Sequence, residues 1–162
     1  MGKPSKSLQG EIGGFLAPFG ASVDPDLLRL ALTHRSWAYE NGGTPHNERL
    51  EFLGDSILGQ AVTVKLFTDH PDLSEGELSR RRAALVSSVA LAEVARGIGV
   101  GEQLLLGVGE ERSGGREKES LLADAVEAII GAVYLSNDPH VAAAFVLQLI
   151  EPLLADPERF TI

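Results

Sequence analysis

The sequence predicts an all-α domain, and three observations carry that expectation. Ala, Leu, Val and Gly are abundant while aromatic residues make up only 6% of the 162-residue chain, a composition suited to closely packed helices. Apolar residues recur at helical spacing in nearly every segment between turns. The turn-like stretches at 41–45, 69–73, 97–101, 107–115 and 137–139 are rich in Gly, Pro, Asn and Asp, and several sit beside helix-capping residues. No substantial sheet is expected.

The elements follow in order. Asp24 before Pro25 reads as an N-cap with proline at the first helical position, opening a helix through Leu27, Leu28, Leu30, Ala31 and Leu32. Residues 45–47 open the next helix, which extends to about Phe67 with Pro71 beyond its end. Ser74 with Glu77 forms a capping-box pattern, starting a helix expected to end near Gly97. A long helix runs from about Glu117 to Leu135, after a glycine-rich loop. Asp138 and Pro139 cap the last helix, which reaches about Ile150 or a little further.

Length and composition narrow the function classes. Hydrophobic residues are 44% and charged residues 23%, the range of one ordinary globular domain with a core. There is no cysteine, which excludes disulfides and thiolate metal sites. No apolar run reaches about 18 residues without a charge, so no membrane span is expected. Residues 1–10 lack the apolar region of a secretory signal, and a reduced, cytoplasmic setting is expected. The net charge of −9 argues against nucleic acid when taken alone, because phosphate contacts need cations. The cations are nevertheless clustered, as Arg80–Arg81–Arg82 and as Arg112, Arg116 and Lys118. A bound divalent cation also reverses the local sign of an acidic site.

The acidic residues are more informative. Glu51 and Asp55 are four apart, about 40° from each other on a helix, and Leu58, Val62 and Leu66 continue their stripe. Glu48 lies one turn earlier, near its edge. Between Leu121 and Leu135 only Asp124 and Glu127 are charged. They project from one side of a helix that is otherwise apolar around its circumference, the pattern of a buried helix. Buried carboxylates are costly unless paired, protonated or bound to metal. Acidic pairs at these spacings are common on solvated faces, so spacing reaches only as far as an oxygen-ligand site for a hard cation. His34, His46, His70 and His140 are scattered without zinc-ligand spacing.

Specificity comes from the motifs. HNERLEFLGDSIL, residues 46–58, closely resembles the signature of the ribonuclease III family. LALTHRSWAYENG before it, SEGELSRRRAALV after it, and LGVGEERSGG and ESLLADAVEAIIGAVYL further on resemble the family's other blocks, in the right order over residues 23–155. The resemblance implies a helical endonuclease domain that forms a two-fold homodimer and hydrolyses both strands of double-stranded RNA to 5′-phosphate and 3′-hydroxyl ends, in processing of ribosomal RNA precursors and other RNAs. It implies Glu51, Asp55, Asp124 and Glu127 as metal ligands for two Mg²⁺ per site, with Mn²⁺ able to substitute, in a two-metal displacement. No small-molecule cofactor is implied. Within that set Asp55 would orient the attacking water and Glu127 would be shared between metals. Glu48 and Glu75 match acidic family positions and are expected to be auxiliary or structural. Phe52 matches a dimer-contact position, with an intrachain core aromatic as the alternative. Arg80, Arg82, Arg112, Arg116 and Lys118 are candidate phosphate contacts, against solvation or pairing with nearby Glu. The resemblance divides the chain into an N-terminal segment 1–22, expected to be partly flexible, a catalytic domain 23–155 and a tail 156–162. Members of the family ordinarily continue into a double-stranded RNA-binding domain, and a truncated form of such a protein is expected here. A catalytically inactive duplex-RNA-binding or scaffold relative would be expected to lose carboxylates, and all four are present.

Overall fold

The computed structural model describes residues 13–160, and its regular structure is helical. The helices are α1 Pro25–Ala31, α2 Arg35–Glu40, α3 Glu48–Asp69, α4 Glu75–Leu85, α5 Ser88–Ile98, α6 Val100–Gln103, α7 Val108–Arg112, α8 Glu119–Ser136 and α9 Pro139–Leu154. Short 3-10 turns lie at Ala17–Phe19, Gly115–Glu117 and Pro157–Phe160. The first twelve residues of the expected N-terminal segment and the last two of the tail lie outside the described residues. Among the described residues, no helix is long and apolar enough to cross a membrane.

The capping residues act as their types dictate. Asp24 accepts the backbone N–H groups of Asp26 and Leu27, and Asp138 accepts that of Val141. Ser74 accepts the Glu77 N–H at 3.2 Å, while the Glu77 carboxylate turns to Arg80. The single helix expected from Ser74 to about Gly97 is two helices. Ser87 divides them: it is extended at ψ 157°, accepts the Ala90 N–H at 3.1 Å and donates to the Ala84 carbonyl at 3.1 Å. A hydroxyl that satisfies both neighbouring helix ends competes with the continuous ladder. Helix α2 had no counterpart in the sequence-based expectation. Its N-cap is His34, whose ring Nδ1 accepts the Ser36 N–H, a role that capping preferences assign to Ser, Thr, Asp and Asn.

Helix α8 is the axis of the molecule. Leu122, Val126, Ile129, Ile130 and Val133 are buried along it, and α1, α3, α5 and α9 pack around it. Each such side chain contributes about 1.5–3 kcal/mol on burial. Leu58, Val62 and Leu66 of α3 are buried, so the apolar continuation of the Glu51–Asp55 stripe faces inward. Ahead of α1, Leu16 is buried and Phe19 meets Phe145 of α9 edge to face at 5.5 Å. A parallel bridge joins Thr33 to Leu105: His34 donates to the Leu105 carbonyl at 3.0 Å and Leu105 to that of Leu32 at 2.9 Å. This bridge holds the segment before α7 beside α2.

Candidate metal centre

Helices α3 and α8 touch backbone to backbone. A Cβ on Gly131 would lie 2.6 Å from the Leu50 carbonyl oxygen, and one on Gly54 would overlap the Glu127 carbonyl. Glycine at both positions removes the bulk that would otherwise keep the helices apart. The carboxylates flank this contact, with Glu51 and Asp55 from one helix and Asp124 and Glu127 from the other. Oxygens of Glu51, Asp124 and Glu127 all lie within 4.8 Å of one another. Asp55 is more exposed and adjoins Glu127 through a side-chain hydrogen bond.

Electrostatics sets the protonation of the cluster. Burial, then the hydrogen bond and charge of Asp55, push Glu127 up to about 9. Burial, then the charge and hydrogen bond of Asp124, push Glu51 up to about 7. Burial raises Asp124 as well, while the Glu51 hydrogen bond opposes the rise. Burial and the mutual repulsion of the carboxylates therefore favour the protonated forms of Glu51 and Glu127. None of the salt bridges among the described residues reaches Glu51, Asp55, Asp124 or Glu127. His34 lies close enough to feel Asp124 and Glu48, but burial holds its imidazole below the ordinary range. An all-oxygen donor set with three convergent carboxylates suits a hard divalent cation. Such an ion would replace the retained protons.

The other expected residues divide by position. Glu48 is at the start of α3, near enough to Glu51 to raise its pKa. Glu75 is elsewhere: it lines a recess with Thr63, Phe67 and Arg82. Thr63 is twelve residues beyond Glu51, about 18 Å along the helix axis. Phe52 is 81% exposed and so is not an intrachain core aromatic. Arg80 pairs with Glu77 and donates to the Phe160 carbonyl, and Arg82 donates to Thr63 Oγ1 at 3.2 Å. Arg116 pairs with Glu111 and donates to the Gly101 and Leu104 carbonyls, while Lys118 pairs with Glu110. Arg112 is exposed, and its side chain makes no hydrogen bond or ion pair with a described residue. His34, one of four histidines scattered along the sequence, instead caps α2, and the Ser two positions later is the local sign of that role.

A family model described as Ribonuclease-III-like matches residues 24–153. The chain belongs to the Ribonuclease-III-like family. A Leifsonia xyli protein named Ribonuclease 3 is 73% identical over 145 residues, covering 90% of this chain and 61% of its own length. A Nocardia farcinica protein of the same name is 59% identical over 142 residues, covering 86% and 59%. This member of the family thus spans about three fifths of the length of the curated relatives it matches. Among solved structures, a nuclease domain of ribonuclease III from Campylobacter jejuni superposes with a TM-score of 0.76 at 43% identity, covering 82% of this chain and 88% of that one. Another structure of that nuclease domain has a TM-score of 0.75 at 44% identity and is described as flexible in a region involved in dimer formation.

Proposed function

We propose that this chain hydrolyses double-stranded RNA at a Mg²⁺ centre, leaving 5′-phosphate and 3′-hydroxyl ends. The observation that carries this reading is the convergence of Glu51, Asp124 and Glu127 oxygens within 4.8 Å at a helix crossing, with no salt bridge to them among the described residues. Two Mg²⁺ per site, or Mn²⁺ in their place, fit four carboxylates. Bound there, divalent cations supply the positive charge that favours hydroxide over water and stabilises the departing 3′ oxygen. Glu127 converges with Glu51 and Asp124 and also hydrogen-bonds Asp55, so it adjoins the other three acids, which supports a role as the ligand the ions would share. Asp55, more exposed beside Glu127, orients the attacking water. Cytoplasmic processing of RNA, ribosomal precursors included, is the corresponding role. Incubating long duplex RNA with the chain, with Mg²⁺ and with chelator, tests the reading. Metal-dependent cleavage is expected, and cleavage that survives chelation contradicts it.

A homodimer completes the reading. Phe52, Ser56, Gly59, Thr63 and Phe67 lie within about 80° of arc on α3. Phe52 and Phe67 are 81% and 72% exposed. Two copies crossing antiparallel about a two-fold near Gly59 would bring each Phe52 to the far end of the partner's α3. The recess of about 410 Å³ at that end is lined by Thr63, Phe67, Leu78 and Glu75. The interface is then self-complementary, as a two-fold requires. The same pairing brings Glu75 of one copy toward Glu48 and Glu51 of the other, which accounts for an acidic position so far from the centre within one chain.

Phosphate contact is the remaining role of the basic residues. Arg112 and Arg82 are exposed and carry no carboxylate partner among the described residues, so they are the readiest of the five. Arg80, Arg116 and Lys118 would have to exchange carboxylates for phosphates.

A further inference from the structure

A recess of about 850 Å³ opens beside the metal centre, and none of its four carboxylates lines it. Its wall includes His34, Arg35 and Tyr39 of the α2 region, together with Pro45, His46 and Glu110. The volume is ordinary for a small-ligand site.

Three features give the recess chemistry. First, the His34 tautomer is fixed. Nδ1 accepts the Ser36 N–H at 3.1 Å and lies 2.7 Å from Ser36 Oγ. A ring nitrogen that accepts a backbone N–H carries no proton, so Nε2 is a donor. Second, Tyr39 is 87% exposed on a braced support. Ser36 Oγ accepts the Gly107 N–H at 2.8 Å and Glu40 Oε2 accepts the Val108 N–H at 2.8 Å, which ties α2 to the start of α7. A Cβ on Gly107 would lie 2.5 Å from Glu40 Oε2, so the junction is also tightly packed. Third, the Arg35 side chain has no hydrogen bond or ion pair with a described residue, whereas the side chains of Arg80, Arg116, Lys118 and Arg159 are all paired.

We infer that this recess receives an unpaired nucleotide of the RNA substrate, its base against the Tyr39 ring and its phosphate or hydroxyl oxygens on His34 Nε2–H and Arg35. An exposed aromatic ring in a concave wall offers a π-face to stack on. Within an A-form duplex the base faces are hidden in the stack, so the ring serves a nucleotide outside it. The recess adjoins the centre: His46 Nδ1 lies 3.5 Å from Glu48 Oε2, and His34 is within electrostatic reach of Asp124. The chain therefore favours duplexes carrying an unpaired stretch next to the cut. This inference rests on the duplex-RNA reading above.

The test is a binding comparison in chelator, where cleavage is absent. One probe is a blunt RNA duplex, and the other is the same duplex with a short single-stranded extension carrying 2-aminopurine. The extended duplex is expected to bind roughly tenfold tighter, the order of one base–aromatic stack, with quenched 2-aminopurine fluorescence. Tyr39→Phe should keep both effects and Tyr39→Ala should lose both, with helicity by circular dichroism unchanged at so exposed a position. Equal affinity for the two probes, or an advantage that survives Tyr39→Ala, overturns the inference. A chain that cleaves blunt duplex with Mg²⁺ yet shows no such advantage overturns the recess alone. A chain that neither binds nor cleaves either probe overturns the duplex-RNA reading and the recess with it.

Discussion

Gly54 of α3 lies against the carbonyl oxygen of Glu127 in α8, so closely that a Cβ at Gly54 would overlap that atom. The contact fixes how near the two acidic pairs come. Any side chain at Gly54 must separate the helices, and the carboxylates would separate with them. Gly54→Ala is therefore expected to destabilise the fold by about 1–3 kcal/mol or more, as overpacking does, and to weaken metal binding. Gly97, in α5 with nothing within 4 Å of a built Cβ, is the control. Gly97→Ala should be neutral or slightly stabilising. Thermal melts with and without Mg²⁺ check both, and an unchanged melt for Gly54→Ala would contradict the close approach.

Glu127→Gln keeps the shape of the side chain and removes its charge. Cleavage of duplex RNA is expected to fall by more than about 100-fold, beyond the loss that follows removal of groups merely supporting a metal ligand. Metal-free stability should not fall, because that state already holds Glu127 protonated. Single-turnover cleavage and a melt in chelator read the two effects separately.

The raised values of Glu51 and Glu127, about 7 and about 9, make metal-free stability depend on pH. Both groups bind protons more tightly folded than unfolded. Their contribution is therefore fully present below about pH 4.5, the unfolded value, and is lost as pH rises through 7 and on to 9. A divalent cation needs the ionised forms, so its affinity should rise over the same window. The stabilisation by saturating Mg²⁺ is expected to be larger at pH 8 than at pH 6 in thermal melts. A Mg²⁺ effect that is absent, or that shrinks as pH rises, would count against the site.

Phe52→Asp should leave the monomer folded, since the side chain is 81% exposed within one chain. Light scattering at micromolar concentration is expected to give a dimer mass for the parent chain and a monomer mass for this variant. A parent chain that is monomeric at that concentration would remove the basis for the two-fold pairing.

Arg112→Ala should weaken duplex binding about equally across sequences and reduce the magnitude of the salt slope by about one. Arg80→Ala should instead lower stability, because it releases Glu77 and the Phe160 carbonyl. Titrations at several salt concentrations, paired with melts, distinguish these outcomes.

Much was legible in the chain itself. Asp24, Ser74 and Asp138 announced helix starts because capping is local chemistry, decided by one side chain and the next few N–H groups. The stripe of Leu58, Val62 and Leu66 announced an inward face because helical period is local too. The sequence alone also selected the four acids, as charges on largely apolar helices within a family's ordered motifs. The break at Ser87 and the cap at His34 were less legible, since each depends on which of two local arrangements packing favours. Only the tertiary structure decided that Glu51, Asp124 and Glu127 converge while Asp55 stands at the rim, that Glu75 lies far along the helix, and that Phe52 faces outward. It likewise decided that Arg80, Arg116 and Lys118 are already paired. Periodicity fixes the direction of a side chain from its own helix axis, whereas distance to another helix is set by how closely two backbones can pack. Here that distance is set by Gly54 and Gly131, the glycines at which the two backbones meet.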